Sequence, residues 1–596
     1  MTRREWLAAF AAWAAGATLP SYGQQGGMAS PERKAAPREE PSGLPFNARF
    51  TDVSEQAGLH SPIVYGAADH DDYILETNGC GIAFFDYDND GWLDILVLSG
   101  TRLDGTPPGA TNRLYKNNRD GTFTDVTKAA GLERGGWACS VTIGDYDNDG
   151  FEDVFITYWG QNVLYRNNGD GTFTDVTERS GLLESGPVLW NSGATWVDYN
   201  RDGHLDLFVA TYLDFDQKVI PKPGASSFCR YMDVPVNCGP RGLKPTYHKL
   251  YRNNGNGTFT DVSAASGIAK LGGSYGMTAV VADYDEDGWP DIFVACDSTP
   301  NFLLMNNRDG TFREEALERG VAYSQDGQEQ ANMGVAIGDF DLDGHTDIVV
   351  THFMRDTPGL YKNDGTGVFE EVSLRTGLGV EIRYICWGTA LEDFDNDGWP
   401  DIVMATGNIY PEVAARFSAW PYRTPRLFYR NLRNGKFELI DDPGPGMTAP
   451  HSSRGSAVGD FDNDGDVDIL IMNMNEPPSL LRNDVRGDNT WLKIFLVGTK
   501  SNRSAIGARV VAHYGQQKQA KTVTAQSSYY SSNDRRLHFG LGNAPQADVE
   551  IFWPNGGVEK HASLPANHLV TIKEGTGVSK LEKWNSESRI KEKSTQ

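Results

Sequence analysis

Seven short clusters of acidic residues are the part of this sequence best suited to chemistry. The element Asp-x-Asp/Asn-x-Asp-Gly-x-x-Asp recurs seven times, and its carboxylates and amide fall at positions one, three, five and nine. The sets are Asp86, Asp88, Asp90 and Asp94; Asp145, Asp147, Asp149 and Asp153; and Asp198, Asn200, Asp202 and Asp206. They continue with Asp283, Asp285, Asp287 and Asp291; Asp339, Asp341, Asp343 and Asp347; Asp393, Asp395, Asp397 and Asp401; and Asp460, Asp462, Asp464 and Asp468. Carboxylates this close repel one another unless a cation lies between them. Alternate spacing turns their oxygens toward one point, and the glycine at position six permits the sharp bend. Hard oxygen donors in a flexible loop favour calcium over zinc or copper. The expectation is up to seven structural calcium ions, whose binding energy becomes folding energy. The third copy departs from the pattern, with Asn200 at position three and Arg201 beside it.

A single such loop leaves a solvated Asp/Gly turn as an alternative; seven at matching places do not. An EF-hand is excluded by position twelve, where a glutamate followed by a helix is required. Here that position holds Val97, Ile156, Val209, Val294, Val350, Met404 and Ile471, all apolar and all inside strand-like runs. The loops therefore sit in β-hairpins.

Two more elements accompany each loop. Leu-Tyr-x-Asn or a relative begins at Leu114, Leu164, Leu250, Leu303, Leu360, Phe428 and Leu480. Gly-x-Phe-Thr-Asp-Val or a relative is centred on Phe123, Phe173, Phe259, Phe312, Phe369 and Phe437, with a spare copy at Phe50 ahead of the first loop. A spare first strand and a missing last one fit a ring in which the N-terminal strand completes the final unit, leaving no sheet edge exposed. The expected fold is all-β: a seven-bladed β-propeller over 46–485, with an insertion at 213–247, and a small β-sandwich over 488–575. Period-two alternation predicts that sandwich, as in Trp491-Leu492-Lys493-Ile494-Phe495-Leu496 and Val549-Glu550-Ile551-Phe552-Trp553. Residues 24–45 read as a flexible linker and 576–596 as a disordered tail.

Propellers bind ligands where strand ends converge on the channel mouth. Thirteen residues beyond each first Asp lie Ser99, Tyr158, Thr211, Cys296, His352, Thr406 and Asn473, with Trp159, Tyr212, Asp297, Asn408 and Asn475 nearby. This divergent polar ring either recognises a ligand or holds channel water. His352 with Asp297, on adjacent blades, is the one acid/base pairing to suggest itself. Metalloprotease and Walker motifs are absent from the sequence.

The formal charge of −26, from 80 acidic and 54 basic residues, argues against nucleic acid as a partner. Arg3-Arg4, an apolar run from Trp6 to Leu19 and small residues at Ser21-Tyr22-Gly23 read as an export signal over 1–23, too short to span a bilayer. Thr2-Arg3-Arg4-Glu5-Trp6-Leu7 resembles a twin-arginine signal, with Trp6 in place of the usual Phe. Export permits disulfides. Cys229 and Cys238, in the Pro/Gly-rich insertion, are the candidate pair. Cys80 and Cys139 read better as buried thiols than as a bridge between blades, and the states of Cys296 and Cys386 are left open.

The repeats resemble the FG-GAP/VCBS class. Ala505-Ile506-Gly507-Ala508-Arg509-Val510, His538-Phe539-Gly540-Leu541-Gly542 and Trp553-Pro554-Asn555-Gly556-Gly557 resemble the ASPIC/UnbV domain of the cartilage acidic protein group, although Asn555 stands where Ser is usual. The resemblance implies an extracytoplasmic calcium-binding protein, periplasmic or secreted, and carries no settled activity with it. The reading is a binding or adhesion platform for protein or carbohydrate. Its rival is an enzyme acting on a polymer or small metabolite at the channel mouth.

Overall fold

The computed structural model describes residues 27–583 apart from Pro31 and Ala68. The expected signal at 1–23 and the end of the expected tail, 584–596, lie outside the described residues. Each acidic loop joins two strands. In the first sheet Ile82–Phe85 leads into the loop and Asp94–Val97 out of it, followed by Arg113–Asn117 and Phe123–Asp125. The run after the loop is wholly apolar past its aspartate, so it can be buried on both faces. Among the described residues, seven such four-stranded antiparallel sheets follow one another between Phe50 and Asn483. The seventh takes its outer strand from the other end of the chain: Phe50–Asp52 pairs with Ser479–Asn483, Phe50 opposite Asn483.

The first strand of each sheet packs on the first strand of the next, and that of the seventh on that of the first. Asparagines of the Leu-Tyr-x-Asn elements tie the same neighbours together. The Asn167 side-chain amide donates to the Tyr87 carbonyl at 2.7 Å and Asn253 to Tyr146 at 2.9 Å. Asn306, Asn363, Asn431 and Asn483 reach Tyr199, Tyr284, Phe340 and Phe394 in the same way, and Asn117 reaches back to Phe461 of the seventh sheet. A buried amide donating to a buried carbonyl satisfies both groups, so each tie holds its neighbour without leaving a polar atom stranded.

The C-terminal strands form two four-stranded sheets, one around Thr490–Val497 and His568–Lys573, the other around Arg509–Tyr514 and Gln546–Phe552. Leu492, Ile494, Val510, Phe539, Val549, Ile551 and Val570 fill one core between them. Residues 576–583 differ from the expected tail. Gly577–Lys583 is an edge strand paired with His568–Lys573, and its Lys- and Glu-rich exposed face suits an edge.

Residues 28–45 differ from the expected flexible linker. The described ones among them lie against the sheets, held by Arg33 N–H to the Arg355 carbonyl, Ala36 N–H to that of Gly379, and Arg430 to the Leu44 carbonyl, each 2.8 Å. Arg33 also faces the buried Asp356 at 3.3 Å. Within the insertion, Cys229 and Cys238 are bonded, while Cys80, Cys139, Cys296 and Cys386 are buried free thiols. The insertion's Tyr231 packs on Phe353 and Tyr410, beyond the ends of the fifth and sixth sheets' second strands. No helix among the described residues is long and apolar enough to cross a membrane.

Sequence reasoning missed one element entirely. Between two strands of the C-terminal domain, the segment Gln526–Ser532 leaves that domain and meets the first strand of all seven sheets. Ser532 N–H donates to the Ile82 carbonyl at 3.1 Å, and Val141 N–H to that of Tyr530 at 3.0 Å. The Gln526 side-chain oxygen lies against Gly193 and accepts from Ala279 N–H at 3.1 Å. Ser528 exchanges backbone bonds with Val335 at 2.7 and 2.6 Å, and its hydroxyl meets Thr389 N–H and Ser456 Oγ. Tyr529 and Tyr530 stack at 4.0 Å and are both fully buried.

Candidate metal centres

In the first loop Asp86 Oδ1 accepts the Asp90 N–H at 2.9 Å and Oδ2 that of Gly91 at 2.8 Å. Asp90 accepts the Trp92 N–H at 3.0 Å. Asp94 closes the turn by accepting from Tyr87 at 3.2 Å and from Asn117 at 2.8 Å. The position-one contacts recur at Asp145, Asp198, Asp283, Asp339, Asp393 and Asp460. Position four is left-handed in every copy, at Asn89, Asn148, Arg201, Glu286, Leu342, Asn396 and Asn463, although none is glycine. Such a conformation costs energy, and the surrounding hydrogen bonds hold it.

The carboxylates converge. In at least five loops three of them offer oxygens within 4.8 Å of one another: Asp86/Asp88/Asp90, Asp145/Asp147/Asp153, Asp283/Asp285/Asp291, Asp339/Asp341/Asp347 and Asp393/Asp395/Asp401. One atom recurs as a buried acceptor with no hydrogen bond. It is Oδ1 of the position-three aspartate, at Asp88, Asp147, Asp285, Asp341 and Asp462; in the sixth loop the orphan is Asp401 Oδ2. Buried acceptors are ordinarily bonded, so an orphan repeated at one place fits a cation better than it fits a turn.

The electrostatics agree. Burial pushes Asp86 up to about 6, Asp145, Asp198, Asp283 and Asp339 to about 7, and Asp94 to about 8. Asp153, Asp206, Asp291, Asp347, Asp401 and Asp468, at position nine, are likewise raised well above the ordinary carboxylate range, chiefly by burial, with neighbouring aspartates adding to it. Basic side chains from the third strands reach only the outer carboxylates: Lys116 to Asp88, Arg166 to Asp147 and Asp149 at 2.6 Å each, Lys362 to Asp341. In the third loop the Asn200 amide donates to Asp202 at 2.9 Å, where the other loops have a fourth acid. The residues present therefore fit a hard divalent cation, held by the side chains at positions one, three, five and nine.

The C-terminal domain rests on these loops. Ala520 N–H donates to Asp339 Oδ2 at 3.1 Å and Tyr514 Oη to the Gly398 carbonyl at 2.9 Å. Arg503 N–H donates to Asn148 Oδ1 at 2.8 Å. The buried Lys493 ammonium pairs with the buried Asp460.

The polar ring is placed differently from expectation. Ser99, Tyr158, Thr211, Cys296, His352, Thr406 and Asn473 are all buried, because the segments after the second strands fold back over them. Asn162 caps the Tyr158 N–H, Asn301 that of Cys296, and Thr424 meets Thr406 at 2.6 Å. His352 and Asp297 have separate partners. Asp297 accepts from Tyr212 at 2.6 Å and from Ser298 at 2.7 Å. His352 Nδ1 meets the Thr357 carbonyl and Gln330, and its nearest carboxylate is Asp356 at 3.6 Å. Burial drives His352 down to about 4, leaving a neutral imidazole inside the protein.

Comparison with known proteins agrees with this architecture. FG-GAP-like repeats match residues 86–156, 145–209, 244–294, 283–350 and 339–404, and an ASPIC and UnbV domain matches residues 498–579. Human cartilage acidic protein 1 is 31% identical over 306 residues, which cover 50% of this chain and 43% of the human one. The mouse protein is 28% identical over 501 residues, 80% of this chain and 70% of the mouse one. The chain thus spans less than half the human relative's length. Among solved structures, an Agrocybe aegerita lectin that recognises non-reducing terminal N-acetylglucosamine is 18% identical. Its match covers 62% of this chain and 82% of the lectin at a TM-score of 0.36. The chain belongs to the FG-GAP-repeat proteins that carry a C-terminal ASPIC and UnbV domain, and is related to cartilage acidic protein 1.

Proposed function

We propose that the chain is an exported, calcium-binding β-propeller that serves as a rigid platform for binding or adhesion. The observation that carries this reading is the repeated orphan oxygen at position three, set among aspartates that burial raises far above their ordinary range. The seven sheets are its blades, up to seven calcium ions its fastenings, and the Phe50–Asp52 strand its closure. The asparagine ties running from sheet to sheet, with the last linking the first and seventh, support that closure. Partners are protein or carbohydrate at the cell exterior. The rival enzymatic reading draws no support from the geometry, since His352 and Asp297 are buried and separately partnered.

Thermal unfolding of the mature chain tests the reading. Calcium should raise the midpoint, excess chelator should lower it, and magnesium should restore it poorly, because its octahedral demand suits this loop less well. A midpoint indifferent to chelator would reduce the loops to surface turns.

A further inference from the structure

The C-terminal domain touches the second to seventh loops through Arg503, Lys500, Arg509, Ala520, Tyr514 and Lys493 in turn. The first loop, Asp86 to Asp94, instead borders a cleft of about 680 Å³ between itself and that domain. This volume lies in the range of small-ligand sites.

The cleft walls combine two features. The half-buried Trp92, at position seven of the first loop, and the half-buried Phe495, on the Thr490–Val497 strand, give it flat apolar surface. Asp86 and Asp90 of the first loop and the exposed Lys583 line it too, and its largely buried arginines are already paired with acids. Arg535 is held by Glu152 and, at 2.6 Å, by the Ser504 carbonyl, and neither bond uses Nη2. Arg536 grips Asp534 at 3.0 and 2.8 Å and donates to Asn463 Oδ1 at 2.8 Å. Lys580 pairs with Glu582 at 2.9 Å. The Arg535 guanidinium also lies over the Phe495 ring, 5.1 Å from its centroid.

A charged ligand seeking Arg535 or Arg536 would have to break a largely buried pair and leave its partner in the low-dielectric wall, whereas the largely exposed Lys580–Glu582 pair lies in water and attracts little. A neutral polyhydroxylated ligand has no such penalty. Its C–H faces can lie on Trp92 and on the part of Phe495 that Arg535 does not cover, while its hydroxyls, which both donate and accept, meet donors and acceptors fixed in place by their pairing. We propose that this cleft binds the end of a neutral oligosaccharide. The proposal rests on the binding-platform reading and names the ligand class for one site of it.

The test uses the full mature chain in calcium, applied to an array of neutral and charged oligosaccharides, with calorimetric titration of any neutral sugar retained. The expected result is retention of a neutral oligosaccharide whose affinity falls about tenfold in Trp92→Ala, the loss of one stacked ring. Phe495→Leu, which keeps the packing and loses the flat face, should weaken it severalfold. Trp289→Ala removes the aromatic at the same position of the fourth loop and should leave affinity unchanged, which controls for damage to a loop. Retention of charged sugars alone, of no sugar, or equal affinity in wild type and Trp92→Ala would each overturn the proposal. The melting experiment keeps the two ideas apart: calcium-dependent melting with a blank array removes the cleft and leaves the platform.

Discussion

Stripped of ions, the chain should become less stable as pH rises through neutrality. Burial lifts Asp145, Asp198, Asp283 and Asp339 from an ordinary 3.8 to about 7. A carboxyl with a higher pKa folded than unfolded binds more protons in the folded state. Its contribution is complete below the unfolded value and is lost as pH climbs through the folded one. Buried His248 and His352, both lowered to about 4, act in the opposite sense, favouring the folded state as pH rises through the ordinary histidine range. Above pH 7 they are largely neutral in both states, so the informative window is pH 7 to 8.5. Across it each of the four aspartates, half-protonated in the folded state at pH 7, loses about 0.4 kcal/mol. They occupy separate loops and add, to about 1.6 kcal/mol. In a chain of this size that corresponds to a fall in midpoint of about 2 °C. With calcium present the carboxylates stay ionised at both pH values and the slope should vanish. Differential scanning calorimetry in chelator and in calcium, at four pH values, reads both arms. A chelated midpoint that is flat or rising from pH 7 to 8.5 would falsify the premise that these carboxylates share a buried, uncompensated charge.

Changing the ligands should change the count of ions. Asp153→Asn removes the closing carboxylate of the second loop and should lower calcium stoichiometry by one in calorimetric titration, whereas Asn200→Asp should tighten the weakest site about tenfold. In Gly81→Ala the new Cβ would overlap the Tyr530 carbonyl oxygen. This overpacking should cost about 1–3 kcal/mol in urea unfolding; a neutral result would mean the Tyr530 segment moves aside freely. Lys493→Met leaves Asp460 buried without its ammonium. The loss should be about 3 kcal/mol in chelator and smaller in calcium, read from paired urea midpoints.

The sheets were legible because aspartate spacing imposes a period on the chain, and because the apolar residue at position twelve puts each loop in a hairpin. The pairing of Phe50 with Asn483 was legible in the order of the elements. What stayed hidden lacked a period. Ser527-Ser528-Tyr529-Tyr530-Ser531-Ser532 carries no repeat or alternation to mark it, yet its serines serve backbone groups of several sheets at once and its tyrosines are wholly interior. The ring from Ser99 to Asn473 was correctly identified as polar and wrongly placed at an open mouth. Nothing in the residues shows that Asn162 and Asn301 cap the strand ends and draw the chain over them. Arg33 and Arg38 look like linker composition until the carboxylates of Asp356 and Asp441 are found beneath them.

Translation makes the segment at 526–532 only after every strand it meets. A chain halted near residue 485 would hold the seven first strands without this hub. Gly81, Gly193 and Gly455 would then face open space where Tyr530, Gln526 and Ser531 sit in the folded protein. The sheets and the C-terminal domain are thus joined at this hub as well as at the loops.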